Sequence, residues 1–270
     1  MRRVAKKLIF PLLLLFVLVG AQPAVAAPYP RSMAALGDSM TRAANVCCWY
    51  GDHPAQSWST GYAGFDGINS HYERLLSLRQ SIAGRNYNDA KSGARMADLP
   101  RQAQLAVQQG AEYVTIEMGA NDVCTSSSTN MTSTGSFEAD YRSALNILQQ
   151  GLPRARVFVA SIPNIYLLWE LMHTNPVAPY VWDVANICQS MLYQGNSDTD
   201  RARVLAHEQV LNGILAGVCS EFSNCKGDGG AVFDYQFSAS DVSVLDYFHP
   251  SIRGQANLAN VTWSHSYWAG

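Results

Sequence analysis

The chain has 270 residues, a net charge of −2 and only 15 % charged residues. No basic stripe runs along it, which excludes a nucleic-acid partner gripped by its phosphates, and no polybasic segment marks an anionic membrane surface. The length suits a single large domain, because no low-complexity linker or internal repeat divides it.

The N-terminus reads as a targeting segment. Arg2, Arg3, Lys6 and Lys7 precede an apolar run, 8–19, that is too short to span a bilayer comfortably. Ala24-Val25-Ala26 then offers a small-x-small cleavage site. Residues 1–26 are expected to be a secretory signal peptide and residues 27–270 one domain of a secreted, extracellular protein. In that compartment Cys47, Cys48, Cys124, Cys188, Cys219 and Cys225 are expected in disulfides. Cys219 and Cys225 are close enough for a local bridge. Cys47 and Cys48 are adjacent, so separate partners are expected for them.

Beyond the signal, apolar runs and helical periodicities alternate. A short buried strand is expected over 32–36, ending at Gly37, then a helix over 66–78 and a short strand over 85–89. A helix over 97–109 stops at Gly110, and a β-rich run over 113–118 stops at Gly119. The Ser/Thr-rich stretch 126–136 reads as a loop. A helix over 137–150 precedes Gly151 and Pro153, and a strand covers 156–162, "RVFVASI". The run 165–172, "IYLLWELM", fits a buried helix or an apolar lip beside a site. A long helix over 200–219, a last strand over 231–235 and a final helix over 251–263 complete the pattern. Strand and helix in alternation predict a doubly wound parallel sheet in an α/β fold, whose ligands bind at the carboxyl ends of the strands.

Polar and glycine clusters are expected at those ends: Gly37-Asp38-Ser39, Ser92-Gly93-Ala94, "GAND" at 119–122, and "DYFHP" at 246–250. Together they supply the parts of a hydrolase. Ser39 needs a base, for which His249 is suited, and Asp246 three residues earlier is placed to orient the imidazole. The backbone N–H groups of Ser39 and Gly93 and the amide of Asn121 are candidate oxyanion donors. Asp38 is expected to serve the turn itself. Gly84 is a rival to Gly93, and Asp241 a rival to Asp246. Taken alone, Ser39 reads first as a helix cap, and Asn121 fits a turn residue.

In order, these four blocks resemble the SGNH hydrolases, also called GDSL esterases and lipases. Ser39 lies in "GDSM", Gly93 in "KSGARM", Asn121 in "GAND", and Asp246 and His249 in "DYFHPSIRGQANLA". Met40 stands where the name motif has Leu. The resemblance spans nearly the whole mature chain. It implies a flavodoxin-like three-layer α/β/α sandwich with a central parallel sheet, a shallow open site, and ester hydrolysis without metal or cofactor. The expected substrate is a small-molecule or lipid ester, the expected state a monomer, with no stable membrane insertion once the signal is removed. Trp49, Tyr50, Trp58, Tyr62 and Phe65 are candidates to line a pocket. A carbohydrate acetylesterase, with Trp49 and Trp58 stacking on sugar, is the alternative within enzymes. An inactive carbohydrate- or surface-binding module is the alternative outside them, and the intact Ser39, Asp246 and His249 argue against it.

Overall fold

The computed structural model describes Met1 and residues 28–269, so apart from Met1 the expected signal peptide lies outside the described residues. In chain order the elements are β1 (Met33–Gly37), α1 (His71–Leu78), β2 (Asn86–Asn88), α2 (Leu99–Gln109), β3 (Tyr113–Glu117), α3 (Ala120–Val123), α4 (Thr134–Gly151), β4 (Arg156–Val159), α5 (Ile165–Met172), α6 (Ala178–Val184), α7 (Gln189–Leu192), α8 (Asp198–Ser220), β5 (Cys225–Gly227) and α9 (Ile252–Ser264). The strands form one sheet in the order β2-β1-β3-β4-β5, and every pairing is parallel.

Alternation along the strands sorts side chains between two cores. Ala34 and Leu36 of β1, Val114 and Ile116 of β3, and Val157 and Val159 of β4 share one core with α2, α4 and α8. Met33, Tyr113 and Phe158 point the other way, onto Tyr72 and Leu75 of α1 and Leu258 and Ala259 of α9. All five residues of β1 and all five of β3 are buried, as central parallel strands covered on both faces must be. Each large apolar side chain so buried contributes about 1.5–3 kcal/mol relative to exposure. The result is a flavodoxin-like α/β/α sandwich.

Helix starts fall where capping side chains sit. Ser70 and Glu73 form a capping box that starts α1 at His71, so Asp66 and Ile68, expected inside the helix, lie in the preceding loop. Ser133 caps α4 and brings its start forward to Thr134. Gly110, at φ 64°, closes α2 in the left-handed conformation that glycine adopts freely.

Two expectations are corrected. The last strand is not 231–235 but Cys225–Gly227, and residues 231–234 form turns. The carboxylate of Asp228 accepts the N–H groups of Gly230 and Val232, which curls the chain just where the apolar run suggested extension. The cysteines pair as Cys219–Cys225, as expected, and Cys124–Cys188. Cys47 and Cys48 therefore find no separate partners, since the other four are used. Their thiols face each other in an exposed loop, with Cys48 at φ 67°.

Candidate active site

The strand order reverses direction between β1 and β3, and the crevice at such a switch point is where an open α/β sheet binds its ligand. Gly37 ends β1 there. A Cβ on it would stand 2.3 Å from the carbonyl oxygen of Glu117 on the neighbouring strand, so only glycine fits. Gln102 of α2 satisfies both backbone groups of Gly37, accepting its N–H at 2.7 Å and donating to its carbonyl at 2.9 Å. Asp38 is fully buried and its Oδ1 accepts the N–H of Met40 at 2.9 Å, which closes the turn. From α9, Gln255 donates to the carbonyl of Met40 and accepts the N–H of Trp58. Ser39 thus sits on a turn held from three sides. No helix follows it to be capped, and its own N–H has no partner among the described residues.

His249 lies far along the chain. Its Nε2 is 2.8 Å from the hydroxyl of Ser39, and its Nδ1 is 2.6 Å from Oδ2 of Asp246. Both are held by an irregular loop 243–249, not by the end of a strand. The N–H of Ser243 donates to the carbonyl of His249, and an antiparallel bridge pairs Val242 with Pro250. Oδ1 of Asp246 accepts the N–H groups of Phe248 and His249. Burial works to raise the Asp246 pKa, but the bonds from His249, Asn45 and Phe248 outweigh it and hold the carboxyl below its ordinary value.

Asn121 is the second residue of α3, the helical turn that follows β3. Its amide donates to the carbonyl of Ala94 at 2.9 Å and approaches Oδ2 of Asp38 at 3.4 Å, tying the blocks around Ser39, Gly93 and Asn121 together. Gly93 lies in an exposed turn at φ 81°, with open space where a Cβ would stand and no partner for its N–H among the described residues. Its rival Gly84 precedes β2 and donates to the Tyr72 hydroxyl, at the opposite end of the strand. The rival acid Asp241 is committed to Ser238, Asn257 and Arg253.

Beneath the turn the electrostatics are unusual. Glu117 is buried with neither carboxylate oxygen hydrogen-bonded among the described residues, and burial, then the nearby Asp38, pushes its pKa well up. Burial also raises Asp38. Elsewhere, His71 is buried between the Tyr113 and Thr262 hydroxyls, and burial drives its pKa down to about 3.

A cavity of about 300 Å³ adjoins His249 and Met40. Ile165, Leu167, Leu168 and Leu171 of α5 line it, opposite Phe237 and Phe248. The run 165–172 is therefore both a helix and a wall of the site. The aromatic cluster behaves otherwise. Trp58 is buried under the nucleophile turn, its indole N–H donating to Thr41, while Trp49, Tyr50, Tyr62 and Phe65 are exposed and outside the cavity lining. Sequence reasoning missed Gln102, Gln255 and Asn45, whose partners lie 65, 215 and 201 residues away.

A switch-point crevice of a flavodoxin-like sheet, with serine, histidine and aspartate in hydrogen-bonded sequence, is the form of an SGNH-type ester hydrolase. The family model described as GDSL-like Lipase/Acylhydrolase matches residues 33–262, and the chain belongs to that family. It is accordingly a carboxylic ester hydrolase. It is 25 % identical over 206 residues to the membrane-associated phospholipase B1 of Rattus norvegicus and 22 % identical over 203 residues to that of Homo sapiens. These matches take in 64 % and 66 % of this chain but 14 % of each relative's length. Among solved structures, a protein described as a GDSL-like lipase from Parabacteroides merdae is 16 % identical, with a TM-score of 0.56 over 88 % of this chain and 96 % of that one. A catalytic mutant of an acetylxylan esterase from Geobacillus stearothermophilus is 17 % identical, with a TM-score of 0.52 over 89 % and 96 %. At such identities the likeness establishes the fold.

Proposed function

We propose that the protein is a secreted, monomeric serine esterase that cleaves lipid-like carboxylic esters, acylglycerols or phospholipids. The observation that carries this reading is the run of short contacts from Asp246 through His249 to Ser39. Ser39 Oγ attacks the ester carbonyl carbon while its proton passes to Nε2 of His249. Asp246 holds the imidazole and balances its positive charge. The tetrahedral oxyanion is met by the N–H groups of Ser39 and Gly93 and by the Asn121 amide, whose longer bond to Asp38 is the one free to be exchanged. The intermediate collapses, and His249 returns the proton to the departing alcohol. Water then attacks the acyl-enzyme, gives a proton to His249, and releases the acid with Ser39 restored.

Three features support the lipid-like substrate and the setting. The cavity beside His249 is lined mostly by apolar residues, among them Leu167, Leu168, Leu171, Phe237 and Phe248, which favours an aliphatic acyl chain over acetate. The curated relatives are phospholipases B. The two disulfides suit an oxidising compartment, and no helix among the described residues is long and apolar enough to cross a membrane. Nitrophenyl esters of graded acyl length, assayed with wild type and Ser39→Ala, test the reading. Activity extending to medium or long chains and lost in Ser39→Ala is expected. Activity confined to acetate would move the assignment to a carbohydrate acetylesterase.

A further inference from the structure

Asn45 follows Ser39 by six residues and matches none of the motif blocks. Its Nδ2 donates to Oδ2 of Asp246 at 2.6 Å, the same oxygen that takes Nδ1 of His249. The other oxygen of Asp246 is filled by the N–H groups of Phe248 and His249, from its own loop. Among the described residues Asn45 is thus the donor to this carboxylate that comes from the nucleophile's side of the site.

The amide of Asn45 is itself held in one orientation. Its Oδ1 accepts the N–H of Gly51 at 2.8 Å, which leaves Nδ2 turned to Asp246. Its backbone N–H donates to the carbonyl of Gly51, and its own carbonyl accepts the hydroxyl of Ser243. Its φ of 53° is left-handed, a conformation asparagine tolerates better than most residues. A second strap runs beside it, from the Tyr50 hydroxyl to the carbonyl of Leu245.

We infer that Asn45 is a positioning residue for this site: it fixes the Asp246 carboxylate, and through it the His249 ring, in register with the turn that carries Ser39. This rests on the reading that Ser39, His249 and Asp246 do the chemistry. A carboxylate whose remaining valences are filled offers the imidazole one oxygen in one direction. Without the amide, the loop 243–249 keeps its internal bonds and the straps at Ser243 and Leu245, but the Asp246 carboxylate itself loses its tie to the nucleophile's side. The bond to Asn45 also helps keep the Asp246 carboxyl ionised.

Two variants test this. Asn45→Gly removes the amide and accommodates the left-handed backbone. Asn45→Asp keeps the shape and the acceptor for Gly51 but turns a carboxylate oxygen toward Asp246. The expected loss in kcat is about 10- to 100-fold, the scale of one hydrogen bond to a charged group, with KM changed less than about twofold. The titration of the Asp246 carboxyl carbon, followed by ¹³C NMR without any ester, should move to higher pH in both, and further in Asn45→Asp. An unmoved titration overturns the inference whatever the assays give, as does a loss of kcat that only follows a fall in thermal stability. Failure of the underlying reading shows elsewhere, as wild-type protein that hydrolyses no ester, and the carboxyl titration still judges Asn45 in that case.

Discussion

Ser39 hangs from a strand, whereas Asp246 and His249 hang from a loop. On the strand side, the backbone groups of Gly37 and Met40 are filled by the buried side chains of Gln102, Asp38 and Gln255. On the loop side many bonds are local, within 243–249, and the ties outward include Asn45 to Asp246, the Ser243 hydroxyl to the carbonyl of Asn45, Tyr50 to Leu245, and the indole N–H of Trp182 to the carbonyl of Tyr247. The proposed nucleophile is thus placed by the end of a central strand and the side chains buried around it. The proposed acid and base are placed by a loop tied across the site by a few side chains, so it is there that modest substitutions should uncouple activity from stability.

The largest departure from that contrast is expected at Asn121. Asn121→Ala removes a donor held on the strand side, so kcat for a good ester should fall about 10²- to 10³-fold with little change in the melting transition. Steady-state kinetics beside calorimetry check both halves of that statement. An equal loss of stability would mean that the Asn121 bond to Ala94 serves folding more than chemistry.

Next comes the staple behind the block that carries Asn121. Cys124, two residues beyond Asp122, is joined to Cys188 across a sequence separation of 64. Replacing both by serine should lower stability by about 2–4 kcal/mol, measured by denaturant unfolding, because the unfolded chain regains the freedom of a long loop. Removing the short Cys219–Cys225 loop, with a separation of 6, should cost less.

The smallest effect tests the buried acid under the turn. Glu117 is raised by burial, so the folded protein binds this proton more tightly than the unfolded chain does. Its favourable contribution is complete below the unfolded carboxyl pKa and is lost as pH rises toward the folded value. Glu117→Gln should therefore be more stable than wild type at pH 8 by about 1–3 kcal/mol, with the gap closing toward pH 4. A pH-independent difference would show that packing, not ionisation, sets the cost.

The contrast between the two halves also marks what the sequence made legible. Ser39 and Asn121 could be picked out because they follow the buried strands β1 and β3, and Gly93 because it follows β2, whereas Asp246 and His249 were legible from their spacing and motif and not from the strand expected before them. Gln102, Gln255 and Asn45 are ordinary polar letters in a helix or loop, and only the tertiary fold assigns their partners. The fifth strand was hidden for a related reason. Cys225–Gly227 reads "CKG", a three-residue edge strand without the apolar run of a central one, while the more apolar 231–235 is curled by Asp228. Trp58 looked like pocket lining because it follows the nucleophile closely, yet its backbone N–H and indole are drawn beneath the turn by Gln255 and Thr41.

The most direct measurement is the rate at which a fluorophosphonate probe labels the folded protein, with the site of attachment read by mass spectrometry, in wild type and His249→Ala. One adduct per chain is expected, on Ser39, forming at least about 10³-fold more slowly when the imidazole is removed. Labelling at another residue, or an undiminished rate in His249→Ala, would contradict this.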